Sequence, residues 1–308
     1  MGDVHQLVLT HGAAQAKLLA PERAAEIDIA AEIMGAEGDE AGFSYTGFAL
    51  TALPYRPLPP DQSWYKEGFK VALSLDPGSL RVRGRMRKFG VPFGNARLVL
   101  IYLQSEAVRT QSPEIAVGSS LSAFATDKLG LKWGGNTGKN LEEQLFRLAA
   151  CTMRFHWESA SHEGFESKGF IKSAAFAKEG DARQARLWDD TVTLDDAFFQ
   201  HLTKHSVPLL DAAVRSLHDE PVALDTYIWL SYRLRHLTGP TGVSWAALKE
   251  QFGAGYKLLR QFRPKYAASL RKALAAYPEA KVEIDEKGIV LHPSRPPVAP
   301  RSASRRIA

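Results

Sequence analysis

With 308 residues, 45% of them apolar and 24% charged, the chain can build two cores of moderate size and lies outside the disordered and fibrous classes. Cys151 is its only cysteine, which excludes an intramolecular disulfide framework and points to a cytoplasmic setting, and no run approaches the ~18 apolar residues of a membrane span. The net charge of +5 is uneven, with 3 basic against 8 acidic groups in residues 1–60, 9 against 4 in 61–110, 11 against 13 in 111–210 and 16 against 9 in 211–308. Positive charge gathered in one arm and at the C-terminal end suits a polyanion, nucleic acid before membrane.

The first fourteen residues, MGDVHQLVLTHGAA, carry no basic group ahead of a short apolar run and make a poor signal peptide. Residues 1–60 read as a flexible acidic segment: an interrupted amphipathic helix over Gln15–Met34, broken at Pro21, then the glycine-rich run from Gly35 and the proline-dense LPYRPLPP at 53–60. Residues 61–90 form a basic strand or arm. Phe69–Leu75 is strand-like, Asp76–Ser79 is a turn, and Leu80–Arg87 alternates apolar residues with Arg81, Arg83, Arg85 and Arg87. A period of two places those four guanidinium groups in one row, and the planar fork of arginine suits phosphate; an edge strand charged against aggregation is the plainer alternative.

Residues 91–208 follow with a buried helix from Asn95 to Arg109, a strand at Glu114–Val117 and a helix capped by Ser119 or Ser120. A loop over Leu131–Lys139 leads to a third helix over Leu141–Met153. Strand character recurs at Arg154–Glu158, Gly169–Phe176 and Ala185–Leu194, and Asp195 starts a further helix. Helix, strand, two helices and a sheet is the order of a winged-helix domain.

Residues 209–294 repeat the scheme. A helix spans Asp225–Leu237, Gly239–Gly242 is a turn, and Ser244 caps a short helix ended by Gly253. Leu259, Phe262, Tyr266, Leu270, Ala273 and Tyr277 then recur at steps of three and four, an apolar helical stripe. Lys257, Arg260, Lys265, Arg271 and Lys272 fall outside it. Pro264 belongs in a first helical turn, which puts the helix start near Arg263 and moves Arg260 towards the approach loop. A hairpin follows around Asp285–Gly288, whose glycine can supply a positive φ. The expected fold is therefore α+β and helix-rich, with two tandem winged-helix domains, the second being the main DNA reader. Residues 295–308, with Arg295, Arg301, Arg305 and Arg306, form a basic tail.

The strings KFGVPFGNARLVLIYLQSEAVRTQSPEIAVGSSLSAF (88–124), PVALDTYIWLSYRLRHL (221–237), SWAALKEQFG (244–253) and YPEAKVEI…GIVLHPS (277–294) resemble the plasmid-encoded RepA replication initiators. The likeness covers roughly residues 85–295. It implies two winged-helix domains, binding to repeated origin sequences (iterons), and local melting with host factors. It further implies recruitment of the host helicase, a homodimer that represses its own promoter, and a monomer that initiates.

From the residues themselves, Arg260, Arg263, Lys265, Arg271 and Lys272 are the expected groove and phosphate contacts, the N-terminal ones nearer the bases. Lys281 and Lys287 on the wing, and Arg81, Arg83, Arg85 and Arg87 on the arm, would hold phosphates. No catalytic residue, metal or cofactor is expected. Gly134–Asn140 departs from a phosphate-binding loop in its glycine spacing and has Asn140 where a hydroxyl is needed. His201 and His205 lack further ligands, no His-x-His pair of a nicking initiator occurs, and Asp189, Asp190, Asp195 and Asp196 read as local stabilisers. Tyr227, Trp229, Tyr232 and Trp245 read as core, and Cys151 as a buried thiol. The alternative is a winged-helix transcriptional repressor that does not initiate replication.

Overall fold

The computed structural model describes residues 2–36, 41–68, 70–118, 120–158, 163–176 and 188–298. Phe69, Ser119, residues 37–40 of the glycine-rich run, residues 185–187 and Arg301, Arg305 and Arg306 lie outside them. In chain order, helix α1 (Asp3–Leu19), a 3₁₀ turn (Pro21–Arg23) and α2 (Ala24–Gly35) precede β1 (Ala41–Tyr45) and α3 (Thr46–Leu50). Strands β2 (Trp64–Gly68), β3 (Val71–Asp76), β4 (Gly78–Val82) and β5 (Arg85–Phe89) lead to α4 (Ala96–Thr110) and β6 (Glu114–Ala116). Next come α5 (Leu121–Ala123) with a π turn (Phe124–Lys128), α6 (Gly135–Ala150), β7 (Thr152–Glu158), β8 (Glu163–Gly169), β9 (Ile171–Phe176) and β10 (Trp188–Leu194). The chain continues with α7 (Asp196–Lys204), β11 (Ser206–Leu210), α8 (Asp211–Ser216), α9 (Pro221–Arg233) with a 3₁₀ turn (Leu234–His236), and β12 (Thr241–Ser244). It ends with α10 (Trp245–Phe252), α11 (Leu259–Ala275), β13 (Val282–Ile284) and β14 (Gly288–Leu291). The fold is α+β, helix-rich, with small sheets. Among the described residues no helix is long and apolar enough to cross a membrane.

The chain divides into two compact units. One comprises Gly42–Val207 with His218–Asp225, the other Met1–Ala41, Pro208–Leu217 and Thr226–Ala308. In the first, a four-stranded antiparallel sheet runs β2-β3-β7-β8 and a second runs β6-β10-β9. Alternation in β3 buries Val71, Leu73 and Leu75. Phe155 meets Tyr45 and Phe48 edge-on at 5.1 and 5.4 Å, and Phe198 meets Tyr45 at 5.5 Å. Gln104 and Ser105 of α4 accept the backbone amides of Tyr45 and Phe43 at 2.6 and 2.7 Å, so β1 is held by polar groups inside the core. The order α4, β6, α5, α6 and then the β9–β10 hairpin against β6 is the winged-helix order, with β7 and β8 inserted.

A buried ion pair organises the proline-dense stretch of this unit. Arg97 donates through Nε to both carboxylate oxygens of Asp225 at 2.9 and 3.0 Å, and its Nη atoms donate to the carbonyls of Pro54 (3.0 Å) and Leu53 (2.5 Å). Tyr55 lies under the guanidinium at 4.7 Å. Burial opposes the charge of Arg97, but Asp225 and Tyr55 outweigh it and hold the guanidinium above its ordinary value.

The N-terminal segment departs from its sequence reading. Residues 3–35 are helical apart from a kink at Gly12 (φ 72) and the break at Ala20–Arg23, and they pack: Ala16, Ile27 and Ala30 are fully buried. The proline-dense stretch has no regular structure, yet Thr51–Leu53 are buried and the carbonyls of Leu53 and Pro54 are bonded by Arg97, so it is anchored. Composition registers prolines and acids; it does not register a guanidinium arriving from elsewhere in the chain.

Candidate nucleic-acid interface

In the unit that holds the C-terminal half, the later part of α9 is followed by β12, α10, α11 and the β13–β14 hairpin. The sheet order is β12-β14-β13, antiparallel throughout, with Val243 opposite Ile289 and Ile284 opposite Ile289 on the other side. This is the winged-helix order. Thr241–Ser244, expected as part turn, is the first strand of that sheet, because β14 supplies a partner that local sequence does not announce. Ser244 accepts the amide of Ala247 at 3.2 Å and so caps α10, which stops at Gly253. Gly255 then turns the chain at φ +94, a conformation that a side chain would oppose.

Helix α11 starts at Leu259, ahead of the expected Arg263. Arg260 therefore lies on the helix, and Pro264 sits inside it. Pro264 is exposed, so the carbonyl of Arg260 that loses its amide partner can turn to water. Phe262, Tyr266, Leu270, Ala273 and Tyr277 are buried as the apolar stripe requires, with the rings of Phe252 and Phe262 stacked on either side of Tyr266 at 5.1 Å. Leu259 is the exception: it projects beyond the end of the core and remains 37% exposed.

The wing is tied down at its tip. Asp285 donates its amide to the carbonyl of Gly288, and its carboxylate accepts the amides of Lys287 and Gly288, both at 2.7 Å. Gly288 has no positive φ; glycine is required there because a Cβ would come within 2.0 Å of the carbonyl oxygen of Val243. Trp245 donates its indole N–H to Asp285 (3.2 Å) and its amide to Lys287 (3.1 Å), joining α10 to the tip. Arg263 completes the bracing by donating to the carbonyl of Glu286 at 2.8 Å while its guanidinium lies 5.2 Å from the Trp245 ring.

The expected contact residues separate accordingly. Arg260 and Lys265 are exposed on the N-terminal part of α11, with Lys257 just ahead, and no acid occurs from Ala254 to Pro278. Lys287 is exposed at the wing tip and Lys281 at the wing's base. Arg263, expected among the groove and phosphate contacts, braces the wing against the helix. Arg271, expected on the DNA face, donates to Glu26 of α2 at 2.9 Å, and Glu26 also accepts Arg23 at 3.0 Å. Lys272 is half-buried in the last turn. Helix α2 packs on α11, and His5 of α1 bonds the carbonyl of Ala275 at 2.9 Å, so α1 and α2 engage the C-terminal part of the helix. Trp245 is buried, as its reading as core requires, and it also joins α10 to the wing tip; Glu26, singled out by no motif, is the residue that sequence reasoning missed.

The arginine row of the arm does not form. Arg83 and Gly84 take φ of 50 and 77, which closes a two-residue hairpin between β4 and β5. Arg81 then faces Met86, while Arg85 and Arg87 stand opposite Val82 and Leu80 on the other face. Arg83 pairs with Glu142 at 2.9 Å, Lys88 pairs with Asp61, and Arg87 lies over Phe89 at 5.0 Å. Alternating arginines fit one strand as well as a hairpin; Gly84 was the only local signal between them.

Gly135–Asn140 forms the start of α6, with Gly134 as its extended N-cap, where a loop through Lys139 was expected, and β8 went unforeseen. His201 and His205 lie with ring centres 6.2 Å apart, and among the described residues no group of three or more His, Cys, Asp or Glu could hold a metal. Burial pushes the Cys151 thiol up to about 12.

A family model described as plasmid encoded RepA protein matches residues 91–246, about half of the chain. The chain belongs to this RepA family. The matched span runs from just before α4 into the start of α10 and stops short of α11 and the wing. Among solved structures, the crystal structure of domains 2 and 3 of RctB is similar at TM-score 0.52 and 14% identity, covering 83% of this chain and 99% of that one. A second crystal structure of RctB domains 2–3 is similar at TM-score 0.47 and 12% identity, covering 80% and 93%. The first of these likenesses concerns fold alone. No curated protein sequence matches the chain. Membership of the RepA family supports a role in initiating plasmid replication.

Proposed function

We propose that this RepA-family chain is a sequence-specific initiator of plasmid replication that has no catalytic activity of its own and reads repeated origin sequences through α11 and its wing. The observation that carries the reading is the braced pair of elements. An acid-free stretch exposes Lys257, Arg260 and Lys265, and beside it stands a wing whose tip is fixed by Trp245 and Arg263. In a winged-helix reader the N-terminal residues of the third helix meet base edges, and the wing holds backbone phosphates. Arg260 and Lys265 are the base and groove contacts, with Lys257, Lys281 and Lys287 on phosphates. The other unit carries the dimer face and auxiliary contacts from Arg81 and Arg85, and host replication proteins are recruited once the origin is bound.

The test is binding of the full chain to duplexes selected from a random library. With about six phosphates neutralised, log affinity should fall against log salt with a slope of about −5. A flat salt dependence, or failure to select any sequence, would remove the proposal. A plasmid bearing the gene and its flanking DNA should replicate only with the gene intact; tight selected binding without replication would leave a repressor instead.

A further inference from the structure

Helix α11 begins in a way that its own stability does not explain. Its N-cap position is occupied by Leu258, which makes no side-chain cap, where Ser, Thr, Asp or Asn would bond a free amide. Leu258 and Leu259 are 45% and 37% exposed, so neither is placed to serve the core as Phe262 and Tyr266 do. Two adjacent leucines held in solvent at a capping site break a local rule without a gain in packing, a pattern expected where function sets the residue. The surroundings limit what can cover them. Lys257 and Arg260 flank the pair, Ala254 and Gly255 present little bulk, and the nearest acid in either sequence direction is Glu250 or Glu279. An occupant that is anionic overall yet offers small apolar groups fits this surface.

Resting on the reading of α11 as the DNA-reading helix, we propose that Leu258 and Leu259 determine sequence preference by packing on thymine C5-methyl groups in the major groove, while Arg260 bonds an adjacent base. The thymine methyl is the apolar feature of that groove, and the leading residues of a recognition helix lie closest to the base edges. The same geometry makes the preference directional: a repeat read here contains thymine next to the base that Arg260 contacts. Guanine is the natural partner there, because its O6 and N7 accept both arms of a guanidinium.

The experiment uses the full chain and duplexes selected from a random library. Each selected duplex is remade with deoxyuridine at one thymine position at a time, which removes a methyl and leaves pairing intact. At one or two positions wild-type affinity should fall roughly fourfold, the worth of one buried methyl-sized group. The variant Leu258→Ala/Leu259→Ala should bind thymine and uracil versions of those duplexes equally. Leu258→Met/Leu259→Met, which keeps apolar reach, should retain the preference, and both variants should keep the wild-type salt slope if they are folded. Equal wild-type binding to thymine and uracil duplexes overturns the proposal while leaving the DNA-reading role of α11 intact. So does an unchanged thymine preference in the Ala variant, which would assign the leucines to a protein partner instead. Failure to select any duplex overturns both readings together.

Discussion

Replacing Arg263 separates two roles that its position on α11 leaves confounded. Its guanidinium donates to Glu286 and lies over Trp245, so the structure uses it to set the distance between helix and wing. A charged donor on a carbonyl and a cation–π contact, both discounted for partial exposure, together contribute about 1–2 kcal/mol to the stability of this unit. Arg263→Ala should therefore lower the thermal midpoint modestly and speed amide exchange at Asp285–Gly288. Loss of the strut lets the tip wander, and Lys287 then holds phosphate poorly. Affinity should fall on selected and scrambled duplexes by the same factor, and the salt slope should flatten by about 1. Arg263→Lys should behave alike, because an ammonium cannot both stack on the indole and reach Glu286 as a planar fork does. Fluorescence anisotropy on both duplexes across a salt series measures all of this. If the selected-to-scrambled affinity ratio collapses while the slope stays unchanged, Arg263 reads a base and the strut argument is wrong.

Three further outcomes follow from pairings remote from the wing. Arg97→Ala leaves the Asp225 carboxylate buried without its partner and frees the Leu53 and Pro54 carbonyls, which should cost about 3–5 kcal/mol; urea unfolding reads it, and a loss under about 1 kcal/mol would contradict the geometry. Arg271→Ala should shift the thermal midpoint through loss of the Glu26 pair yet change DNA affinity less than about twofold, whereas a phosphate contact would flatten the salt slope by about 1. Burial holds His5 below its usual value of 6.5, so the unfolded chain takes up the proton first, and stability should decline as pH falls through 6.5. In His5→Gln that part of the decline should vanish, as thermal melts over a pH series would reveal.

What the sequence makes legible is what neighbours decide. Ser244, Ser120 and Asp195 cap helices as their side-chain chemistry requires, accepting amides two or three residues on. The stripe of α11 is correct wherever the core reaches it. Errors begin where a residue's partner is far along the chain. Arg271 reads as free charge because Glu26 stands 245 residues away, and the proline-dense stretch reads as a linker because its acceptors are met by Arg97 from α4. Pro264 misplaced the helix start for another reason: the penalty assigned to an interior proline supposes a carbonyl with no alternative, and this one faces solvent.

The same non-local pairs change how positive charge on α11 should be counted. A helix of 17 residues is about 25 Å long, and its basic residues span nearly all of it. Arg271 is held by Glu26 near one end, where α2 packs and His5 engages the last turn, and Arg263 is committed to the wing. The exposed cations left to the leading edge are Lys257, Arg260 and Lys265, with two adjacent leucines between the first two. A formal charge summed over residues 211–308 therefore overstates the phosphate contacts available to this helix. It also hides the apolar component of the surface. Under the proposed DNA-reading role of α11, that redistribution favours discrimination: fewer cations would bind any duplex, and the groups at the tip would be those whose fit depends on the base.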